Sequence, residues 1–416
     1  MPGFLLGLLA LGHAMAFTDR SLPAVAAPLL KASLGLSDTQ LGMLDGPAFV
    51  ALYVVGVLAS WPMARSRHRL YLAAGCIGSW MAGMLLFAVG THLAVLVAGR
   101  ALIGLGQAAY VPLALGMIVE HAAPRQRGRA MAVFTAAAVI GRGTALLAGG
   151  TLLALLAQWV PAMAHDHWRL LFLLMAAPNL VLMLGLLTTR EPAARTVAVP
   201  SRHVRALCAA LGDRPGLWGA YLCVAAASVL VAQTLGAWAP SVLQREHGLS
   251  PGVAALTFGV ALLVASPVGH LVAGTLVDRR SDRLTPLSIA ALALLVVVPL
   301  LHALPDASSA YSACALLALA SLAGGTAAVA ALAGLPLILE HSVRDMGLRL
   351  FLAFVTVVGA GLGPFMAGVV SDGLGAGGNG LSGALFRVCA TAGVLGIAVA
   401  LLAAPGWRRA AAEVAR

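Results

Sequence analysis

The sequence predicts an all-α membrane protein with twelve transmembrane helices. Hydrophobic residues make up 61% of its 416 residues and the mean hydropathy is +0.95, both far above the values of soluble domains. Apolar stretches long enough to cross a hydrocarbon core of about 30 Å recur along the whole chain. The predicted spans are 4–30, 41–63, 70–91, 93–119, 130–156, 168–189, 217–243, 252–277, 285–304, 309–339, 350–371 and 383–404.

The placement of basic residues predicts how the chain crosses the membrane. If the N-terminus is cytoplasmic, nineteen arginines fall in the inner loops and the C-terminal tail, whereas only Lys31 and Arg245 fall in outer loops. The positive-inside rule then places both termini in the cytoplasm. We expect the protein in the plasma membrane, the inner membrane of a bacterium. The same placement accounts for the net charge of +11 without a nucleic-acid partner.

The chain divides into two halves. The longest polar stretch, 190–216, separates an N-terminal six-helix bundle (1–189) from a C-terminal one with a short tail (217–416), and 204–211 within it is predicted as a short surface helix. The loop 274–283 has the form G-x-x-x-D-R-x-x-x-R, and basic loops occupy the corresponding places after the second, fourth and tenth spans. Two six-helix repeats are therefore expected.

Two motifs stand out in these halves: the loop 274–283 and Arg100-x-x-x-Gly104-x-Gly106 in the fourth span. Both look like signatures of the major facilitator superfamily, which the chain resembles over nearly its full length. Four further stretches are similar to the spinster-like branch: 18–20 (TDR), 35–42 (GLSDTQLG), 238–240 (WAP) followed by 247–250 (HGLS), and 361–364 (GLGP) followed by Ser371-Asp372. The resemblance implies two pseudo-symmetric six-helix bundles that transport a solute by alternating access.

The charged pair Asp19-Arg20 interrupts the first apolar span. Each charge costs roughly 2.5–3.5 kcal/mol at the centre of a membrane helix, so a pair placed there indicates function. Asp19 and Arg20 lie roughly 17 Å below the outer end of their helix, and Arg100 lies roughly 10 Å below the outer end of the fourth. We therefore expect Arg100 to be the counter-ion of Asp19 in a central cavity, with a purely structural buried ion pair as the alternative.

Gln107 and Arg142 are departures from the family pattern. Spinster-like proteins usually have a glutamate at the place of Gln107, where it is thought to take part in proton coupling, and an amide cannot take up a proton. Any proton coupling should then depend on Asp19. Arg142 replaces a small, neutral residue and is expected to bind an anionic head group; the alternative is that it snorkels or caps a carbonyl. Tyr110 and Trp238 are further candidate substrate-binding residues.

The loop 274–283 is predicted to form a gate. Gly274, Asp278, Arg279 and Arg283 carry the signature, and Arg65 occupies the matching loop of the first half, which has lost the acidic residue. Salt bridges from such a loop to a helix end hold the inner side shut until the two bundles rock. The first-half lock is expected to be the weaker one.

The motifs of nucleotide-driven motors and of zinc peptidases are missing from the sequence. It contains no P-loop or H-E-x-x-H, and neither an enzyme nor a cofactor is predicted. The predicted function is transport of a small anionic or zwitterionic amphipathic solute, such as a lysolipid or organic anion, with the bilayer and any protons carried by Asp19 as the other partners. The alternatives are a transport-dead receptor or scaffold and an integral membrane transferase. The outer tripeptide 165–167 (HDH) is read as an ordinary loop rather than a metal site.

Overall fold

Almost all of the described chain is helical, which confirms the predicted all-α class. A computed structural model of the protein describes residues 3–123, 126–190, 209, 211–280, 284–340, 343–375 and 380–414. The long helices of the first half are α1 (Gly3–Leu34), α2 (Asp38–Ala64), α3 (Arg69–Val89), α4 (Leu93–His121), α5 (Arg127–Trp159) and α6 (His167–Thr188). A short 3-10 turn, Pro161–Asp166, precedes α6.

The second half contributes six more long helices. They are α7 (Pro215–Arg245), α8 (Pro251–Arg280), α9 (Pro286–His302), α10 (Ala310–Gly334), α11 (344–374) and α12 (Gly380–Val414). Ten helices of the described chain are long and apolar enough to cross a membrane. The remaining two are α1, which carries the charged pair, and α9, whose 17 residues extend about 26 Å. Most of the predicted linker 190–216, with its surface helix 204–211, lies outside the described residues.

Helix α2 is broken, although the sequence predicted one continuous span over 41–63. It consists of the pieces Asp38–Asp45, Pro47–Val50 and Tyr53–Ala64. Ser37 begins the first piece through a capping box with Gln40. Gly46, with φ −103° and ψ −92°, ends this piece, and Pro47 cannot donate the N–H that would continue it. Carbonyl groups of the first piece are thereby left for other partners.

Helix α11 is irregular in its middle. Residues Thr356–Ala360 form a π-helical turn between the α-helical pieces Arg344–Val355 and Gly361–Leu374. Pro364 lies four residues after Ala360 and lacks the N–H that would bond the carbonyl of that residue. Irregular turns of this kind occur often at functional sites in membrane helices.

The described residues divide into two compact units. One holds the described residues up to 190 together with Leu243–Leu263, and the other holds the remaining described residues. Gly150 of α5 and Gly252 of α8 help to explain the first grouping, because a Cβ on either residue would lie 2.8 Å from the carbonyl oxygen of the other. The backbones of α5 and the first part of α8 thus touch directly. The predicted division at 190–216 stays a prediction.

Candidate functional site

Arg100 caps the break in α2. Its side chain is completely buried; Nε donates to the carbonyl oxygen of Leu44 at 2.8 Å, and Nη2 forms a salt bridge with Oδ1 of Asp45 at 3.2 Å. Nη1 donates to the backbone oxygen of Arg20 at 3.3 Å. A guanidinium at the C-terminal end of a helix segment satisfies free carbonyls and interacts favourably with the helix dipole.

The glycine of the Arg100-x-x-x-Gly104 motif lets α4 approach this break. A Cβ at Gly104 would lie 1.8 Å from the carbonyl oxygen of Phe49, so no side chain fits there. Arg100 lies one helical turn earlier, which brings its guanidinium to the preceding piece of α2. The motif therefore serves one purpose: it docks α4 on a broken helix and supplies the cap.

The predicted ion pair between Asp19 and Arg100 is wrong. Arg100 pairs with Asp45, while Oδ2 of Asp19 accepts a hydrogen bond of 2.7 Å from Nδ2 of Asn179 in α6. The predicted depths were compatible, since Arg100 does reach the backbone of Arg20. The prediction failed because consecutive helical residues point about 100° apart, so that Asp19 faces α3 and α6.

Asp19 belongs to a buried polar chain across three helices. Nε1 of Trp80 in α3 donates to Oδ1 of Asn179 at 3.0 Å, and Asn179 donates to Asp19. All three residues are completely buried. Oδ1 of Asp19 has no hydrogen-bond partner among the described residues.

Arg20 and Arg142 lie over aromatic rings. The guanidinium carbon of Arg20 is 4.4 Å from the ring centre of Phe49 and 5.8 Å from that of Phe17. The guanidinium of Arg142 lies 5.9 Å from the same Phe17 ring. Cations at these distances are attracted to the negative faces of the rings. Phe17 therefore joins the arginines of α1 and α5 in one cluster.

One carboxylate lies within this arginine cluster. Asp45 interacts electrostatically with Arg20, Arg100 and Arg142. Among these four side chains, the positive charges outnumber the negative one. Asp45, rather than Asp19, is therefore the acid of the arginine cluster.

Gln107 and Tyr110 occupy buried positions in α4. Nε2 of Gln107 has no hydrogen-bond partner in the part of the chain that the structure describes. The hydroxyl of Tyr110 donates to the carbonyl oxygen of Leu9 at 2.9 Å, and its ring meets Trp80 edge-on at 5.4 Å. Tyr110 thus packs α4 against α1 and α3. Roles for both residues in substrate binding stay predictions.

Trp238 lies in the second unit. It is 2% exposed, and Nε1 donates to the carbonyl oxygen of Pro364 in α11 at 3.0 Å. The indole therefore fastens α7 to the piece of α11 that follows its π-helical turn. Its role in substrate binding likewise stays a prediction.

The predicted gate residues lie at helix ends. Gly274 is in the last part of α8, and the side chains of Asp278 and Arg279 there are exposed, as is that of Arg65 after α2. Asp278 forms no ion pair with a described residue, and Arg283 lies outside the described part. These placements leave the gate untested.

A neighbouring arginine of the first-half loop does have an acidic partner. Arg69, the first residue of α3, forms a buried salt bridge with Glu120 near the end of α4. The side chains are 5% and 9% exposed, respectively. The acid that is missing from the loop itself is thus supplied by another helix, which sequence spacing did not reveal.

The tripeptide 165–167, predicted as an ordinary loop, spans the end of the 3-10 turn and the first residue of α6. Asp166 forms a salt bridge of 2.8 Å with Arg169, and Nε2 of His167 hydrogen-bonds the carbonyl oxygen of Val160 at 2.9 Å. No group of three or more potential metal ligands occurs among the described residues.

Sequence reasoning missed Phe17, Phe49, Trp80 and Asn179. Phe17 could have been found, because it lies three residues before Arg20 and so on the same helical face. Phe49 and Asn179 contact charged residues from other helices, and Trp80 donates to Asn179; nothing local in their sequence marks these three residues.

The fold and the buried charged groups define a class, the polytopic membrane transporters. Residues 9–335 match the family described as Major Facilitator Superfamily. The chain therefore belongs to the major facilitator superfamily, as its motifs suggested, and functions in membrane transport. Membership of a transporter family also supports the expectation that it is not an enzyme.

Relatives of this chain carry transporter names. It is 28% identical over 424 residues to an "MFS-type efflux pump" of Mycolicibacterium smegmatis, with 99% of this chain and 94% of that protein covered. It is 26% identical over 181 residues to "Protein spinster homolog 1" of Homo sapiens, covering 42% of this chain and 32% of that protein. Both similarities agree with the motifs quoted above.

Solved structures share the fold. A bacterial homologue of the human lysosomal transporter Spinster, in an inward-facing and unoccupied conformation, superposes with a TM-score of 0.81 at 22% identity, covering 98% of this chain and 96% of that one. A D-xylose-proton symporter gives a TM-score of 0.73 at 17% identity, with 96% of each chain covered. At such identities the likeness concerns the fold alone.

Proposed function

We propose that the protein carries an amphipathic solute with an anionic or zwitterionic head, such as a lysolipid or an organic anion, by alternating access. The observation that carries the proposal is the cluster of Arg20 and Arg142 at the ring of Phe17, with Asp45 as its acid. An acidic head group is attracted to this arginine-rich cluster, and guanidiniums bind carboxylate and phosphate through paired hydrogen bonds.

The proposed apolar part of the solute is supported by the composition of the second half of the chain. Helices α9 and α10 contain no Asp, Glu, Lys or Arg, so they offer an apolar surface to an acyl chain. An amphipathic solute contains parts that suit both features. A small neutral sugar does not.

Flux into liposomes tests the proposal. The purified protein is reconstituted and offered lysophosphatidylglycerol, lysophosphatidylcholine and monoacylglycerol of one acyl length, and separately a neutral sugar, each with and without a pH gradient. We expect saturable transport of the two charged lipids and weaker transport of monoacylglycerol. Equal preference for the sugar refutes the proposed solute class, and absence of any flux favours a transport-dead receptor or scaffold.

Arg142 provides the matched variant. Arg142→Gln keeps a polar side chain but removes the charge, and loss of one charge-assisted contact, worth roughly 1.5–3 kcal/mol, should raise the half-saturating lysophosphatidylglycerol concentration about tenfold or more. Arg387→Gln is the control, because Arg387 is an exposed arginine of α12. Equal behaviour of the two variants contradicts the assignment of Arg142.

We further propose how the protein is oriented in the membrane and which residues form its inner gate. Both termini are cytoplasmic, and the segment 190–216 links the bundles 1–189 and 217–416. Asp278, together with Arg279 and Arg283, holds the inner side closed. Gly274 lies in the same loop, and Arg65 lies in the matching loop of the first half. The support is the concentration of arginines in the loops assigned to the inside. Labelling of an added C-terminal cysteine in sealed vesicles checks the orientation. Asp278→Asn should change the conformational equilibrium while leaving substrate binding intact.

A further inference from the structure

A buried hydrogen-bond chain runs from Trp80 to Asn179 to Asp19. It lies in the first unit and joins α3, α6 and α1. The arginine cluster uses other atoms: Arg100 is committed to Leu44 and Asp45. This hydrogen-bond chain is therefore separate from the arginine cluster, although Asp19 and Arg20 are adjacent in sequence.

The direction of this chain is fixed by its indole end. The indole Nε1–H of Trp80 only donates, so the atom of Asn179 that faces it is the amide oxygen. The amide nitrogen then points at Asp19, where it donates to Oδ2 at 2.7 Å. Trp80 thereby sets which end of the Asn179 amide reaches the carboxyl group.

One carboxylate oxygen of Asp19 forms no hydrogen bond with a described residue. Its residue is completely buried, and Oδ1 meets no hydrogen-bond partner in the described chain. None of the ion pairs among the described residues includes Asp19. Arg20, which is adjacent to Asp19 in sequence, lies over an aromatic ring. Arg100 of α4 is paired with Asp45. An uncompensated charge at such a place costs several kcal/mol, and a proton on Oδ1 removes it.

We propose that Asn179, oriented by Trp80, is the positioning residue of a proton-binding site at Asp19. A proton from water binds Oδ1 and converts the carboxylate into a neutral acid, while Nδ2 of Asn179 holds Oδ2 as the carbonyl oxygen in the protonated form. Release of the same proton to water restores the carboxylate. This inference rests on the proposed transport function and adds to it a proton-binding site together with the residue that positions it.

Infrared difference spectroscopy of the purified full chain tests the site without any knowledge of the solute. The spectra are recorded between acidic and alkaline pH, and Asp19→Asn identifies the carbonyl stretch of the protonated Asp19. Asn179→Leu should move that stretch to higher frequency, because the carbonyl oxygen loses its hydrogen-bond donor. Trp80→Phe should move it in the same direction, because the amide can then rotate and the carboxyl group loses the nearby indole N–H.

Two matched controls separate positioning from packing. Trp168→Phe removes another completely buried indole, whose Nε1 donates to Oγ of Ser33 at 2.8 Å, and Gln107→Leu removes another buried amide. Both should leave the Asp19 stretch in place. If Asn179→Leu does not fold, Trp80→Phe alone carries the test.

The proposal is overturned if no carbonyl stretch depends on Asp19 at any pH, if the stretch ignores both variants, or if the controls shift it equally. Its failure is distinguishable from failure of the proposed solute. If the lysolipids are not transported but the stretch responds as stated, the proton site stands and the solute class is wrong.

Discussion

Arg245 at the end of α7 donates from Nη1 to both carboxylate oxygens of Asp38 at the start of α2, at 2.8 and 2.9 Å. Lys31 forms a salt bridge with the same carboxylate, whose side chain is 6% exposed. The positive-inside count left Lys31 and Arg245 as the two basic residues in outer loops. Both converge on one acid, which ties the end of α7 into the first unit.

Asp38→Asn should loosen that tie. The amide keeps the size of the side chain but offers one acceptor oxygen and points N–H groups at two cations, so we expect a loss of about 1–3 kcal/mol, moderated by the partial exposure of Lys31 and Arg245. Thermal unfolding in detergent and hydrogen exchange of 243–263 measure it. Asp306→Asn, at an exposed carboxylate, is the control. Unchanged exchange in 243–263 contradicts this account of the segment.

Arg100 should couple energetically to Asp45 and not to Asp19. In a double-mutant cycle, Arg100→Gln with Asp45→Asn removes both partners of a salt bridge, and we expect an interaction energy of about 1–3 kcal/mol. Arg100→Gln with Asp19→Asn should be additive within about 0.5 kcal/mol. The measurement is unfolding stability of the four variants in each cycle. A larger coupling to Asp19 restores the pair that the sequence first suggested.

Phe17→Leu should weaken head-group binding while leaving every arginine in place. The substitution keeps an apolar side chain but removes the ring shared by Arg20 and Arg142, and each cation–π contact contributes about 0.5–2 kcal/mol. We expect the half-saturating concentration of lysophosphatidylglycerol to rise about threefold to thirtyfold. Phe354→Leu, at a 38% exposed ring in α11, serves as the matched control. An unaltered half-saturating concentration removes Phe17 from the site.

Gly141→Ala should destabilise the first unit. A Cβ there would lie 2.1 Å from the carbonyl oxygen of Ala14, and Thr18 donates to the carbonyl oxygen of Gly141 at 2.9 Å, so α1 and α5 must move apart. Overpacking of this kind costs about 1–3 kcal/mol or more. Gly116→Ala in α4, where nothing lies within 4 Å, should instead be neutral or slightly stabilising. Melting temperatures of both variants decide the point.

Local patterns predicted the helical elements well. Chain length and apolar runs are sufficient for this, because a membrane span must satisfy its backbone hydrogen bonds internally and so is helical. The break in α2 was missed even though Gly46-Pro47 is visible in the sequence, since glycine and proline also occur in unbroken membrane helices. Its significance depends on Arg100, which lies 55 residues from Asp45 and caps the break.

The sequence by itself determined the fold class, the family and the fact that Asp19, Arg20, Arg100 and Arg142 carry charge within apolar helices. The tertiary structure decided the partners: Asp45 for Arg100, Asn179 for Asp19 and Phe17 for both Arg20 and Arg142. Composition and helix rise give the depth of a residue, but the direction in which it points depends on the rotation of each helix against its neighbours. That rotation is set by close contacts such as Gly104 against Phe49, which no local pattern encodes.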